Sequence, residues 1–165
     1  MKLYRLSAAQ YVPISPEEAW GFLSDPKNLQ KITPDAMGFE ILSGADGPMY
    51  PGQIIQYSVA PFPGFRTRWV TEISHVQEGS YFVDEQRFGP YSFWHHKHFI
   101  SPVENGTLMR DIVDYKLPLG LLGRFAQALF VKRQLTNIFR YREKALEESF
   151  GTLPGHASSL SIKTI

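Results

Sequence analysis

The chain contains no cysteine. That excludes thiolate metal sites, cysteine nucleophiles, iron–sulfur clusters and disulfide staples together. Its 165 residues are enough to bury a core without such help. No charge sign dominates either: 17 Lys and Arg against 16 Asp and Glu leave a net +1, which gives no general attraction to nucleic acid or to an anionic bilayer. Nowhere do about 18 apolar residues run together, and Met1–Ser7 lacks the apolar stretch of a signal peptide. The expectation is a soluble, cytoplasmic protein with no nucleic-acid partner and no stable membrane insertion. Gly-X-Ser-X-Gly, Walker and Gly-X-Gly-X-X-Gly patterns are all missing, which argues against hydrolysis by a serine nucleophile, NTP use and dinucleotide binding. There is no internal repeat.

Aromatic residues are plentiful: 12 Phe, 8 Tyr and 3 Trp, suited to sheet packing or to the wall of an apolar pocket. Leu3–Val12 alternates as a strand and stops at Pro13. Ser15, Pro16 and Glu18 then form a capping box for a short helix from Pro16 to about Leu23. Asp25-Pro26 starts a second short helix that reaches about Ile32, before Thr33-Pro34. From Gly38 the period falls to two, and strands are expected at Phe39–Ser43, Gln53–Ala60, Arg66–Gln77, Tyr81–Phe88, Ser92–Ser101 and Thr107–Leu117. Short Gly- and Pro-rich turns between them imply an antiparallel sheet of seven strands. Between Pro118 and Phe150, Leu122, Phe125, Leu129, Leu135, Phe139 and Leu146 read as the apolar side of one helix, with Arg140, Arg142 and Lys144 on other sides. At about 1.5 Å per residue it would be roughly 40 to 50 Å long, enough to cross the whole sheet and leave a cavity beneath it. Residues 1–150 therefore read as one domain, and 151–165 as a poorly ordered tail.

Four segments go beyond this order of elements. They are Pro16–Pro26, Phe82–Gln86 with Gly89-Pro90-Tyr91, Trp94–Phe99, and Met109–Tyr115 with Pro118. Over about residues 3–148 the chain resembles the bacterial ligand-binding branch of the START/Bet v 1-like superfamily, termed SRPBCC or polyketide cyclase/dehydrase-like. The resemblance implies an α+β helix-grip fold, a curved sheet around a long C-terminal helix, with an internal apolar cavity and a small hydrophobic ligand. It names neither ligand nor reaction.

Three of the five histidines fall in Trp94-His95-His96-Lys97-His98. On a strand, His96 and His98 share one face with Trp94 and Ile100. A two-residue loop at Asn105-Gly106 sets Glu104 opposite Thr107, and so His98 opposite Val113, His96 opposite Tyr115, Trp94 opposite Leu117 and Ile100 opposite Asp111. The inner face then carries Trp94, His96, His98, Met109, Asp111, Val113 and Tyr115, while Lys97 and Asp114 face solvent. Two imidazoles and a carboxylate on an apolar face need partners, since each unsatisfied group costs about 1–3 kcal/mol. They can satisfy one another, anchor a ligand, or act as acid and base, with His96, His98 and Asp111 the catalytic candidates. His-X-His with Asp also has the residue types of a metal site. No reinforcing spacing accompanies it, and no metal or cofactor is assigned.

In Arg66–Ile73, Trp69 is expected inside with Thr71, and Arg66, Arg68 and Glu72 outside. Asp84 and Gln86 point inward if the loop Gly89-Pro90-Tyr91 counts three residues, and outward if it counts two; both remain open. The loops Gly44–Gly52 and Pro61–Gly64, with Met49, Tyr50 and Phe62, and the segment Leu117–Gly123 are candidates for the cavity mouth. The ligand-binding set is thus Trp69, Asp84, Gln86, Trp94, His96, His98, Met109, Asp111, Val113, Tyr115, Leu122, Phe125 and Leu129. The function expected is binding of a small hydrophobic or aromatic molecule. The alternative is a cyclase, dehydratase or isomerase using the same His and Asp groups.

Overall fold

The computed structural model describes residues 2–62 and 65–165. Pro63 and Gly64 of the second candidate mouth loop, and the side chain of Phe62, lie outside the described residues. The strands are β1 (Tyr4–Val12), β2 (Glu40–Ser43), β3 (Gln53–Phe62), β4 (Phe65–Gln77), β5 (Tyr81–Phe88), β6 (Phe93–Val103), β7 (Gly106–Lys116) and β8 (Ser159–Thr164). They form one antiparallel sheet in the order β2-β3-β4-β5-β6-β7-β1-β8. The helices are α1 (Pro16–Leu23), α2 (Gly120–Ala126) and α3 (Lys132–Phe150). The expected α+β helix-grip architecture stands, with eight strands in place of seven.

The eighth strand comes from residues 151–165, which were expected to be poorly ordered. Leu160 and Ile162 alternate with serines and a lysine, pair with Ala8 and Leu6, and pack against the core around Leu6. The strand covers an edge of β1 that would otherwise expose unpaired backbone groups.

Local chemistry sets the first turns. The Ser15 hydroxyl accepts from the Glu18 amide at 3.1 Å and Pro16 occupies the first position of α1. Asp25 accepts from the Lys27 amide at 3.0 Å, and Pro26–Ile32 winds as a 3-10 helix. This pair closes one end of the sheet, with Val12, Ile32, Ile100, Met109 and Leu146 forming a shared core.

The β6–β7 register differs from expectation by two residues. Val103 faces Gly106, so the turn is Glu104-Asn105, with Asn105 taking the left-handed backbone (φ 59°). Gly106 sits where a Cβ would lie 2.4 Å from the Val12 carbonyl oxygen, and this close approach, not a turn, requires the glycine. His98 therefore faces Asp111, His96 faces Val113, Trp94 faces Tyr115 and Ile100 faces Met109. A shift of two preserves which residues face inward. The outer face carries the expected Lys97–Asp114 pair, Nζ to Oδ2 3.1 Å, beside a bidentate Arg5–Asp114 pair at 2.6 and 2.9 Å, but Asp114 is buried between these cations and does not face solvent as expected.

The long helix is not continuous. A π-helical turn, Gln127–Val131, separates α2 from α3. Leu135, Phe139 and Leu146 of α3 are buried over the sheet, and the Gln10 side-chain amide on β1 donates to the Glu143 carbonyl at 2.8 Å. Leu122, Phe125 and Leu129, expected on the same face, are instead 69, 68 and 64 % exposed. At about 100° per residue, the six-residue step from Leu129 to Leu135 already turns the face by about 240°. The wider π turn then shifts the phase of the two stretches further. Within Leu117–Gly123, Pro118–Leu122 is exposed, across the lead into α2 and its first residues, with Leu119 in the left-handed region (φ 66°), while Leu117 packs against the core and Gly123 is buried.

Candidate functional site

Helix α3 lies over β1 and β7, where Leu6, Val113 and Tyr115 meet Val131, Leu135 and Phe139 in dry contact. Further along, β3 to β6 face the 3-10 segment, the end of α1 and one side of α3. A cavity of about 200 Å³ remains there. Its floor includes Ile55, Tyr57, Trp69, Phe82 and Trp94, its end Phe22 and Leu29, and its roof Leu135, Ile138 and Phe139. Rings dominate one wall: Trp69 meets Trp94 edge-on at 5.2 Å between centroids, and Tyr91 lies 4.8 Å from Trp94. The Trp69 indole donates to Thr71 Oγ1 at 3.0 Å, fixing its plane. The loop Gly44–Gly52 contributes Met49. Its ends are pinned by buried Gln53, whose side chain donates to the Gly44 carbonyl at 2.8 Å and accepts from the Tyr50 amide at 3.3 Å.

At the sheet side of the cavity the polar groups converge. Loop Gly89-Pro90-Tyr91 counts as three residues in register, so Asp84 faces His96 and points inward. The imidazoles of His96 and His98 stand side by side, centroids 3.7 Å apart, with Phe82 stacked on His98 at 4.1 Å. A carboxylate closes each end. His98 Nε2 is 2.8 Å and His96 Nδ1 3.4 Å from Asp84 Oδ2. His96 Nε2 is hydrogen-bonded to Asp111 Oδ1 at 2.9 Å. His98 Nδ1 is also 2.9 Å from that oxygen but off the hydrogen-bond direction, so this contact is a charge contact and Nδ1 has no hydrogen-bond partner. Arg142, from α3, places Nη2 3.3 Å from Asp111 Oδ1.

Arg142 is a correction to the sequence reading, which put it on an outer side of the helix. It is 7 % exposed. Seven residues beyond Leu135 is about 340° away from it, so Arg142 shares the buried face of Leu135, and that spacing was available in the sequence.

Burial works against every charge in this cluster, and pairing decides the outcome. Burial alone would raise Asp111, but the Arg142 charge and the two imidazoles hold it well below the usual carboxylate range. Asp84 is likewise raised by burial, and His96 and His98 outweigh this and hold it low. Burial lowers His96, helped by the charge on His98. His98 is lowered by burial too, but its neighbours Asp111 and Asp84 outweigh this and leave it raised. The two imidazoles are thus pushed apart, and His98 holds its proton to higher pH than His96 does.

The expected residues separate into four groups. Trp69, Asp84, Trp94, His96 and His98 line the cavity. Asp111 stands behind the imidazoles, and Met109, Val113 and Tyr115 belong to the packed core beneath α3. Gln86 does not reach the cavity; its amide donates to the Tyr91 carbonyl at 2.6 Å and accepts from the Tyr91 amide at 3.2 Å, shaping the loop that aims Asp84. Leu122, Phe125 and Leu129 lie on the exposed side of the helix. Sequence reasoning missed Tyr57, Tyr91 and Arg142 as wall residues.

The fold is shared with solved structures at low identity. A protein of Thermus thermophilus superposes with a TM-score of 0.67 at 18 % identity over 87 % of this chain and 94 % of that one. A START superfamily protein of Mycobacterium smegmatis gives 0.65 at 18 %, covering 89 % and 97 %. Ara h 8.0201 gives 0.57 at 15 %, covering 88 % and 99 %. No curated protein matches the sequence. Residues 12–139 match the family described as polyketide cyclase / dehydrase and lipid transport, and with the sheet, helix and cavity above, the chain belongs to that family.

Proposed function

We propose that this protein binds a small aromatic or alicyclic molecule carrying one polar end, with its rings against Trp69, Tyr91 and Trp94 and its polar atom at His96, His98 and Asp84. One observation carries the reading: a largely apolar cavity of about 200 Å³ with His96, His98 and Asp84 gathered at its sheet side. A cavity of roughly 150 Å³ holds a benzene-sized guest, so this one suits one or two rings. A long acyl chain is a poor match for that volume. His98 offers a donor and Asp84 an acceptor, which supports recognition of a phenol, a carbonyl or a carboxylate.

Titration with 2-naphthol, followed by tryptophan fluorescence, tests this. Saturable quenching is expected, because two of the three Trp side chains line the cavity. At 100 times its Kd the guest should add about 2.7 kcal/mol of stability. Quenching by palmitate but not by 2-naphthol would overturn the size argument. Native mass spectrometry of the freshly purified chain would identify a retained guest.

A second reading is favoured by two adjacent imidazoles on one wall, with the proton affinity of His98 raised and that of His96 lowered. Such a pair can donate a proton to a carbonyl oxygen while removing one from the adjacent carbon, which is enolisation. Hydrogen–deuterium exchange at the α-carbons of 2-tetralone reads it out. An enzyme loses that exchange in His96→Gln, whereas a carrier shows no exchange above background and changes affinity only a few-fold.

A further inference from the structure

The two ends of the His–Asp cluster are not equivalent. The Asp111 end already holds a cation, the Arg142 guanidinium, 3.3 Å from its carboxylate. A metal ion there would face a fixed positive charge. Among the described residues Asp84 is paired with His96 and His98 and with no Lys or Arg, and all three line the cavity.

We propose that Asp84, His96 and His98 bind one divalent first-row transition cation at the cavity wall, with Asp111 holding the imidazoles from behind. One donor atom from each of the three residues lies within 4.8 Å of the others. His98 Nε2 and His96 Nδ1 stand 2.8 and 3.4 Å from Asp84 Oδ2. Donors around a common ion at 2.0–2.2 Å are about 3.0–3.5 Å apart, so the two distances to Asp84 already suit a shared ion, and the two imidazole nitrogens, within 4.8 Å of each other, need only turn toward it. The donor set is two imidazoles and one carboxylate with no thiolate. It suits zinc, cobalt, nickel or ferrous iron, and is wrong for magnesium or calcium, which prefer oxygen.

A second observation points the same way. His98 Nδ1 is buried without a hydrogen bond, although Asp111 Oδ1 is 2.9 Å away. The ring is turned to present Nε2 to Asp84 at the expense of Nδ1. Ligation through Nε2 with a small ring rotation would aim Nδ1–H at Asp111. That is the carboxylate–imidazole–metal arrangement in which the outer carboxylate fixes the ligand tautomer. His96 already has its half of it, through Nε2 and Asp111. Three protein donors leave coordination positions open toward the cavity.

The proposal is independent of the small-molecule reading, since it needs no organic guest. The test is equilibrium dialysis of chelator-stripped protein against Zn²⁺ and Co²⁺, with metal per chain measured by atomic emission. Saturation at one ion per chain is expected, undisturbed by millimolar Mg²⁺ or Ca²⁺. His96→Gln, His98→Gln and Asp84→Asn should lose it, and His95→Gln and His156→Gln should keep it. Should the inner variants fail to fold, the wild-type protein decides. Bound Co²⁺ should shift the ring protons of His96 and His98 in the NMR spectrum and leave those of His75 and His156 in place. No saturable uptake, uptake that survives His96→Gln with His98→Gln, or paramagnetic shifts centred elsewhere would each overturn the site.

Discussion

Asp111 is the residue on which the polar cluster depends. It is 6 % exposed, and its Oδ1 lies within 3.3 Å of Arg142, His96 and His98 at once. Removing its charge leaves Arg142 buried without a counter-ion, which typically costs about 3–5 kcal/mol. Asp111→Asn should therefore lower stability by that amount in urea denaturation with chelator present, and Arg142→Met should cost less, since Asp111 keeps its contacts with His96 and His98. A change within experimental error in both would mean that water, not this pair, satisfies the groups. The two imidazoles should titrate apart. In chelator-treated protein, NMR should find His98 deprotonating above the ordinary histidine value and His96 below it. The signs then follow for stability. His98 stabilises the fold below about pH 6.5, and this is lost as pH rises through its raised folded value. His96 refuses a proton that the unfolded chain accepts, so its contribution falls as pH drops below about 6.5. Asp84 and Asp111 add stability above about pH 4 that disappears as pH falls through their depressed values. His96 titrating above His98 would refute the charge assignment.

Among elements, the helix after the sheet behaves as two. α3 buries Leu135, Phe139 and Leu146 in the core, whereas Leu121, Leu122 and Phe125 of α2 are exposed, so equal substitutions at these positions should have unequal effects. Leu146→Ala, at 1 % exposure, should cost about 2–5 kcal/mol. Leu122→Ser and Phe125→Ser, both exposed, should each stay within about 0.5 kcal/mol of wild type by chemical denaturation. A large loss in the second pair would mean that α2 is packed in solution. The β8 strand makes the opposite case. Deleting residues 151–165 uncovers the outer edge of β1 along Tyr4–Ala9, leaving a row of unpaired backbone groups able to template a second chain. Increased light scattering is expected at a temperature where the full chain stays monodisperse. Unchanged scattering would show β1 to be protected by other means.

For the molecule as a whole, the cavity sets stability against binding. Empty apolar volume forfeits packing contacts, so filling it should stabilise the fold and remove its guest. Ile138→Phe, on the roof of the cavity, should raise the melting temperature and abolish quenching by 2-naphthol. Retained binding with a raised melting temperature would place the guest outside the cavity. Among the described residues, no helix is long and apolar enough to cross a membrane. The exposed apolar residues of the lead into α2 and its first turn, Leu119, Leu121 and Leu122, are instead a surface feature.

Local chemistry carried most of the fold. Alternation located seven of the eight strands, the Ser15 and Asp25 caps located the short helices, and an inward pair at His96 and His98 was readable because a register shift of two leaves strand parity unchanged. The pattern of β8 was equally legible, though its Gly- and Pro-bearing surroundings hid it. What depended on tertiary contact was everything that crosses between elements. The register of β6 on β7 turned on the approach of the Val12 backbone to Gly106, a partner from the other end of the chain. The inward turn of Asp84 depended on how the Gly89–Tyr91 loop was held by Gln86. The burial of Arg142 needed Asp111 opposite it, and the exposure of Phe125 needed a π turn that apolar spacing does not announce. Periodicity encodes which face of an element is apolar, whereas the distances at which two carboxylates, two imidazoles and a guanidinium meet arise only when four separate segments are packed together.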